Sequence, residues 1–160
     1  MMTTLRSFAN AIARFLGWSL ASLLTVLVAI VCWQVVSRYV LGTPDLYSEE
    51  IARIVLMWIG LLGAAYGVHS NAHIGLSLLV DRMPPRMRQA AQLLARLALV
   101  AFAMGILFTG GLELVSLTSQ LKQMTPALGM PVAYTYLVLP LSGLLIGLFA
   151  ITAQMTEHPR

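Results

Sequence analysis

Glutamate, arginine and histidine side chains at helical spacing are the residues of this chain best suited to do chemistry. Glu49 and Glu50 precede Arg53 by four and three positions, so both glutamates can reach the arginine on one face of a helix. His69 and His73 are also four positions apart, a spacing that suits a metal ion or a haem iron. Each group also has a purely structural interpretation.

The group of Glu49, Glu50 and Arg53 has two interpretations. In the structural one these residues begin a helix, with Ser48 as its cap, carboxylates near its positive end, and exposed pairs worth about 0.3–0.5 kcal/mol each. In the functional one they join Arg38, which ends the preceding apolar run, in a buried charge network. Such a network would fix the contact between two helices or with a partner chain. Composition alone favours the structural interpretation.

The histidines and the one acid of the third apolar run predict no catalytic centre. A metal ion needs further ligands, and no cysteine, aspartate or glutamate near His69 and His73 completes a set. Glu113 is a candidate proton relay if it lies within the membrane, and a surface glutamate if it does not. The sequence has no phosphate-binding loop, nucleophile elbow or dinucleotide fingerprint. We therefore expect no catalytic, metal, cofactor or substrate site, and we expect that the protein is not an enzyme.

The composition is that of an integral membrane protein. Hydrophobic residues make up 59% of the 160 residues and charged residues 10%, whereas soluble domains are about 25% charged. A soluble fold of this size could not bury so much apolar surface. The net charge of +4 is not gathered into a basic cluster that alternates with aromatic residues, so no nucleic-acid partner is predicted.

The apolar runs predict an all-α integral membrane protein with four transmembrane helices in a single domain over 1–160. A span needs about 20 apolar residues, because each adds about 1.5 Å across a hydrocarbon core of about 30 Å. The third run is longer than one crossing, and Gly110-Gly111 is its expected break. Pro140 is expected to kink the fourth. The predicted spans cover 15–37, 49–68, 86–112 with a possible extension to 124, and 132–155.

The connection between spans two and three holds a further apolar stretch that is too short to cross the membrane. Residues 73–82 end in charged residues just before two prolines. They predict a short interfacial arm, with an ordinary loop as the alternative. The distribution of basic residues favours a cytoplasmic location for both termini, an N-in, C-in topology. That topology places Glu49, Glu50 and Arg53 on the outer side of the membrane.

Span two also carries a face made of small residues. Gly60, Gly63 and Gly67 recur at positions i, i+3 and i+7, and small residues allow two helices to approach closely. We call these three residues the glycine face. We expect it to pack on another helix, either of this chain or of a partner.

The motifs around span two resemble those of the small membrane subunit of tripartite ATP-independent periplasmic (TRAP) transporters, the DctQ-like family. The resemblance is detailed over about 34–88, and the four-span layout extends it to the whole chain. The sequence departs from the family pattern at Tyr47, where tryptophan is usual, and at Ser77, where many members have aspartate. In order, the motifs are Arg38-Tyr39, Tyr47-Ser-Glu-Glu-Ile-Ala-Arg53, Trp58, Leu62-Gly-Ala-Ala, His73-Ile74 and Asp81-Arg82-Met-Pro84.

The resemblance implies an accessory scaffold subunit of the bacterial inner membrane, with no cofactor or substrate site of its own. Its implied partners are a large multi-span DctM-like membrane subunit, which holds the sodium and substrate sites, and a periplasmic binding protein that delivers an organic acid. The lipid bilayer is the third partner. The residues expected to face a partner are Arg38, Tyr47, Glu49, Glu50, Arg53, Trp58, Gly60, Gly63, Gly67 and His73.

Two other functions stay open on the residues alone. One is a stand-alone, proton-coupled transporter that uses Glu113 or the group of Glu49, Glu50 and Arg53. The other is the membrane anchor of a redox enzyme, with His69 and His73 at a haem. The first would transport without a partner permease, and the second would show a haem absorption band.

Overall fold

The computed structural model describes residues 2–70 and 84–153, and every regular element in these two ranges is a helix. The predicted arm at 73–82, with His73, lies outside the described residues. The elements are α1 (Met2–Tyr39), α2 (Leu46–His69), α3 (Pro85–Phe102), a π-helical segment (Ala103–Gly110), α4 (Gly111–Gln120), α5 (Val132–Tyr136) and α6 (Val138–Ala153).

Within the described ranges, four helical stretches are long and apolar enough to cross a membrane, which confirms the predicted all-α, four-span fold. The second begins at Leu46 rather than at residue 49, because Asp45 and not Ser48 is its N-cap: the Asp45 carboxylate accepts from the Tyr47 N–H at 3.1 Å. The N-in, C-in topology stays a prediction. The spans are Ser7–Tyr39, Leu46–His69, Ala90–Gln120 and Val132–Thr152.

The third span does not break at its paired glycines, and that prediction is wrong. Gly110 (φ −64°, ψ −36°) and Gly111 (φ −63°, ψ −42°) both have helical backbone angles. The irregularity is the π-helical segment, which ends at Gly110 and in which the backbone forms wider turns. Gly111 remains helical against the fourth span, where a Cβ atom would lie 2.8 Å from Leu139 Cβ and from Pro140 Cδ.

Pro140 interrupts the fourth span, as the sequence predicts. Helix α5 ends at Tyr136 and α6 begins at Val138. Pro140 has no N–H to donate to the Tyr136 carbonyl four residues earlier, so one helical hydrogen bond is missing there. The ladder resumes with Leu141 N–H donating to Leu137 O at 3.3 Å. The fourth span is therefore a helix with a local interruption at Leu137.

The fourth span is the centre of the bundle. Its apolar stretch is 50% buried within the chain, against 6% for that of the first span. Helix α6 packs on α2 and on the π-helical segment, whereas α1 packs mainly on α2. The largest fully buried side chains, Phe149, Val138 and Ser142, all belong to α6. Span one therefore offers most of its apolar surface to lipid or to another chain.

Gly143 allows a close contact between spans three and four. A Cβ atom at this position would lie 2.7 Å from Ala103 O and 2.8 Å from Phe108 N, which are backbone atoms of the π-helical segment. At Gly147, one turn later, it would lie 3.1 Å from the flexible Met104 Sδ. Small residues thus bring two backbones together, as is common where membrane helices pack.

Candidate functional site: the charged edge and the glycine face

The connection between spans one and two is short and held at both ends. Trp33 Nε1 of span one donates to Asp45 Oδ2 at 3.3 Å, so the helix cap is also tied to the preceding span. The Ser37 hydroxyl donates to the Thr43 carbonyl. These bonds fix the place where α2 begins relative to the end of α1, and with it the position of the acidic first turn.

Arg38 and Glu49 form a salt bridge across this connection. Arg38 Nη2 lies 2.7 Å from Glu49 Oε1, and the two side chains are 57% and 38% exposed. In the functional interpretation Arg38 joins the group in a buried network; the structure pairs Arg38 with Glu49, but the bridge is exposed rather than buried. Because the pair is largely solvated, its contribution to stability is at most about 1 kcal/mol.

Arg53 does not pair with Glu49 or Glu50, although its spacing from them predicts such pairs. Glu49 points to Arg38, and Glu50 points to another loop, so neither carboxylate hydrogen-bonds to the arginine one turn later in the described structure. The exposed Arg53 acts on Glu50 only through Coulomb attraction. The predicted i, i+3 and i, i+4 pairs are therefore not formed.

Glu50 reaches across the bundle to the turn between spans three and four. Its Oε2 accepts from the Ala127 N–H at 2.7 Å and lies 3.4 Å from the Leu128 N. Its Oε1 is buried and has no hydrogen-bond partner among the described residues. A carboxylate that accepts backbone N–H groups forms a charge-assisted bond, which is stronger than a neutral one. The acid on span two thus holds a loop 77 positions later in the chain.

The turn that receives Glu50 has its own internal order. Thr125 N–H donates to Met130 O at 2.8 Å, and Met130 N–H donates to Thr125 Oγ1 at 3.1 Å. Gly129 has a φ of +64°, a conformation that glycine adopts without steric cost. The turn therefore presents the N–H groups of Ala127 and Leu128 toward span two. We call Arg38, Asp45, Glu49, Glu50 and Arg53 the charged edge.

The glycine face of span two is not filled by the described part of this chain. A Cβ atom added to Gly60, Gly63 or Gly67 would meet no described atom within 4 Å. Of the two expected packing partners, no helix within 2–70 and 84–153 comes within 4 Å of such a Cβ atom. Trp58 is half-buried against the core, whereas Tyr47 is 59% exposed at the start of α2.

The family model for the DctQ component of tripartite ATP-independent periplasmic transporters matches residues 27–158. The chain belongs to this family. The matched range includes the charged edge, the turn that Glu50 holds, the glycine face and the fourth span. It confirms the resemblance that the motifs around span two carry.

Proteins similar to this DctQ-family chain include the sialic acid TRAP transporter small permease protein SiaQ of Vibrio cholerae. It is 30% identical over 88 residues, which are 55% of this chain and 51% of that protein. A putative TRAP transporter small permease protein of Haemophilus influenzae is 26% identical over 152 residues, 95% of this chain and 91% of that protein. The chain thus spans about half the length of the first relative and nearly all of the second.

A third relative is much longer than this chain. The isethionate TRAP transporter permease protein DctMQ of Oleidesulfovibrio alaskensis is 26% identical over 131 residues, 78% of this chain but only 20% of that protein. The region similar to this chain is therefore one part of a larger polypeptide in that bacterium.

Family membership makes the protein a transporter component and not an enzyme, and its four spans make it a multi-pass protein of the inner membrane. Glu113 lies within the third candidate span and is exposed on α4, so its side chain faces away from the rest of the described chain. His69 is half-buried with its ring 4.9 Å from that of Phe149, and no set of three metal-ligating side chains occurs in the described ranges.

Proposed function

We propose that this DctQ-family protein is the scaffold subunit of a sodium-coupled TRAP transporter that imports an organic acid, without a substrate site of its own. The family match over residues 27–158 carries the proposal. In this proposal sodium and the substrate bind a large DctM-like subunit, and a periplasmic binding protein delivers the acid. The names of two relatives support an acidic substrate, since they specify sialic acid and isethionate.

The large partner is supported by the longer relative. In the isethionate permease the region similar to this chain is joined to a polypeptide of which it forms one fifth. A fusion of this kind keeps two subunits together at a high effective concentration. The same arrangement in two separate chains requires an interface, and the glycine face of this chain offers room for one.

The contacts of the charged edge suit a scaffold. The Arg38–Glu49 bridge joins spans one and two, and Glu50 joins span two to the turn between spans three and four. All four spans are thus linked at one end of the bundle by polar contacts. A subunit that holds its shape while a neighbouring domain moves needs such links, because apolar helix faces alone permit sliding. We propose the charged edge and the glycine face as the two parts of the partner surface.

The proposed function is tested by uptake into proteoliposomes. The large subunit is reconstituted with or without this chain, together with the purified binding protein and a radiolabelled acid. We expect uptake only when both membrane subunits are present, and only with an inward sodium gradient. If the large subunit alone transports at the full rate, the role of an obligate scaffold is wrong. If uptake survives collapse of the sodium gradient, the proposed coupling is wrong.

Gly63→Leu is expected to lower the yield of the complex with the large subunit about tenfold, which corresponds to about 1.4 kcal/mol. A Cβ atom at that position meets no described atom within 4 Å, so we expect the isolated subunit to accept the side chain and keep its melting temperature. In the complex the added side chain would overpack the contact, at a cost of about 1–3 kcal/mol. The measurement is the amount of two-subunit complex recovered by affinity purification of the large subunit.

Ala64→Leu is the matched control for this experiment. Ala64 is the next residue of the same helix and is exposed on another face, so the same side chain is added away from the glycine face. We expect a normal yield of complex from this variant. Equal yields from the two variants would show that the glycine face contacts lipid rather than the partner.

A further inference from the structure

The end of the bundle away from the charged edge carries a groove between spans one and two. It has a volume of about 410 Å³ and is lined by Arg14, Gly17, Trp18, Leu20 and Tyr66. The Tyr66 ring lies over Gly17, where an added Cβ atom would be 3.4 Å from Tyr66 Cε2. The lining therefore combines one cation, one phenol and an apolar floor. We call these five residues the headgroup groove.

The two polar groups of the headgroup groove have no protein partner. The Arg14 guanidinium forms no salt bridge or hydrogen bond, and the Tyr66 hydroxyl forms no hydrogen bond, within 2–70 and 84–153. Arginine has only donors to offer, and it prefers the planar pairs of oxygens found in carboxylates and phosphates. Two unmatched polar groups in one groove call for a ligand rich in acceptor oxygens.

The depth of the headgroup groove in the membrane follows from the length of α1. Arg14 and Arg38 are 24 positions apart on one continuous helix, a rise of about 36 Å. The hydrocarbon core is about 30 Å thick, so both guanidinium groups reach headgroup layers, on opposite sides. Trp18, which is 74% exposed, then lies at the level where aromatic side chains collect. Leu20 lies deeper, among acyl chains.

We propose that the headgroup groove binds an anionic phospholipid of the bilayer. Arg14 and Tyr66 hold the phosphate and its neighbouring oxygens, and Gly17, Trp18 and Leu20 receive the first methylene groups of an acyl chain. Charge selects the class of lipid, because a zwitterionic headgroup brings its own amine to neutralise the phosphate. Basic pockets between membrane helices are suited to such headgroups. The proposal does not depend on the transport function.

The test is native mass spectrometry of the full-length chain, titrated with phosphatidylglycerol or phosphatidylcholine in detergent. We expect a one-to-one adduct with phosphatidylglycerol, and about fivefold less occupancy with phosphatidylcholine. Arg14→Gln should reduce the phosphatidylglycerol adduct by about the same factor, and Arg14→Lys should restore part of it. Lys122→Gln, which removes an exposed cation from the other end of the bundle, should leave the adduct unchanged.

Several results would overturn the proposal. Equal occupancy by the two lipids, or equal adducts in the native chain and in Arg14→Gln, would exclude an anionic headgroup at Arg14. Displacement of the lipid by millimolar inorganic phosphate would identify a site for a free anion instead. Absence of the lipid from the complex purified with its large subunit, when it is present on the isolated chain, would make the groove part of the protein interface.

Discussion

Gly143→Ala is expected to lower the melting temperature of the purified subunit by about 2–12 °C, from a packing cost of about 1–3 kcal/mol. The reason is the 2.7 Å and 2.8 Å distances that an added Cβ atom would have to Ala103 O and Phe108 N. Both are backbone atoms, which no side-chain rotation can move away. Spans three and four would therefore have to separate at this contact.

Alanine substitutions at two other glycines should change the melting temperature by different amounts and so provide a comparison. At Gly105, in the same π-helical segment, a Cβ atom meets no described atom within 4 Å, and alanine is the better helix former by about 1 kcal/mol. Gly105→Ala should therefore keep or raise the melting temperature. Gly147→Ala should lie between the two, because its close neighbour is the flexible Met104 Sδ at 3.1 Å. The measurement is thermal unfolding in detergent, followed by intrinsic tryptophan fluorescence.

Equal melting temperatures for Gly143→Ala and Gly105→Ala would contradict the packing account. They would mean that the π-helical segment can shift to make room, so that its contact with position 143 does not require a residue as small as glycine. A loss of monodispersity in Gly143→Ala alone would support the account, since separated spans expose apolar surface that is buried in the native bundle.

The parts of the fold that the sequence predicts depend on local properties. Four apolar runs predict four spans because crossing the membrane requires only length and hydrophobicity. Pro140 predicts the interruption near Tyr136 because the missing N–H affects a carbonyl four residues away. The start of α2 is predicted three residues late, because both Asp45 and Ser48 are suitable caps and only the geometry of the connection selects between them.

The parts that the sequence does not predict depend on contacts between distant positions. A pair of glycines weakens an isolated helix, but Gly110 and Gly111 remain helical because the fourth span packs against Gly111. The π-helical segment likewise lies against Gly143, a contact that no local pattern indicates. In both cases tertiary packing overrides intrinsic helix propensity.

The contacts of the candidate site also fall into those that nearby sequence predicts and those that depend on distant positions. The Arg38–Glu49 bridge crosses a short connection, so its two residues are close in sequence and the pair is predictable. The hydrogen bond from Ala127 N–H to Glu50 joins positions 77 apart, and neither the residue types nor their spacing predicts it. Helical spacing instead suggested Arg53 as the partner of Glu50. The N–H groups of the turn take that carboxylate because they are fixed in place, whereas the arginine side chain stays in solvent.

Glu50→Ala is expected to release the turn between spans three and four, with about tenfold faster hydrogen exchange at the Ala127 and Leu128 amides. The substitution removes the acceptor that both N–H groups face. The turn keeps its backbone bonds between Thr125 and Met130 and between Gly129 and Thr125, so the rest of it should change less, although the Thr125 side chain also interacts with Glu50. The measurement is hydrogen–deuterium exchange of the purified subunit, read on peptides that cover 121–131.

Glu49→Ala is the matched control, because it removes the neighbouring carboxylate and breaks a bridge that does not involve the turn. We expect it to leave exchange at 121–131 unchanged. Glu50→Gln should fall between alanine and the native chain, since an amide oxygen still accepts but without the added strength of a charge. If Glu49→Ala and Glu50→Ala gave the same exchange pattern, the charged edge would act as a general electrostatic feature and not through one bond.

The same variants separate the role of Glu50 in the subunit from its role in the transporter. If the bond serves only the subunit, Glu50→Ala should speed exchange in the turn yet give a normal yield of complex and normal uptake. If the turn that Glu50 holds is part of the partner surface beside the charged edge, Glu50→Ala should lower the yield of complex and uptake together, and by more than Glu49→Ala, which leaves the turn in place. Glu50 would then fix the turn in the shape that the large subunit recognises. Its Oε1 is buried because the carboxylate has to reach across the bundle to hold that turn.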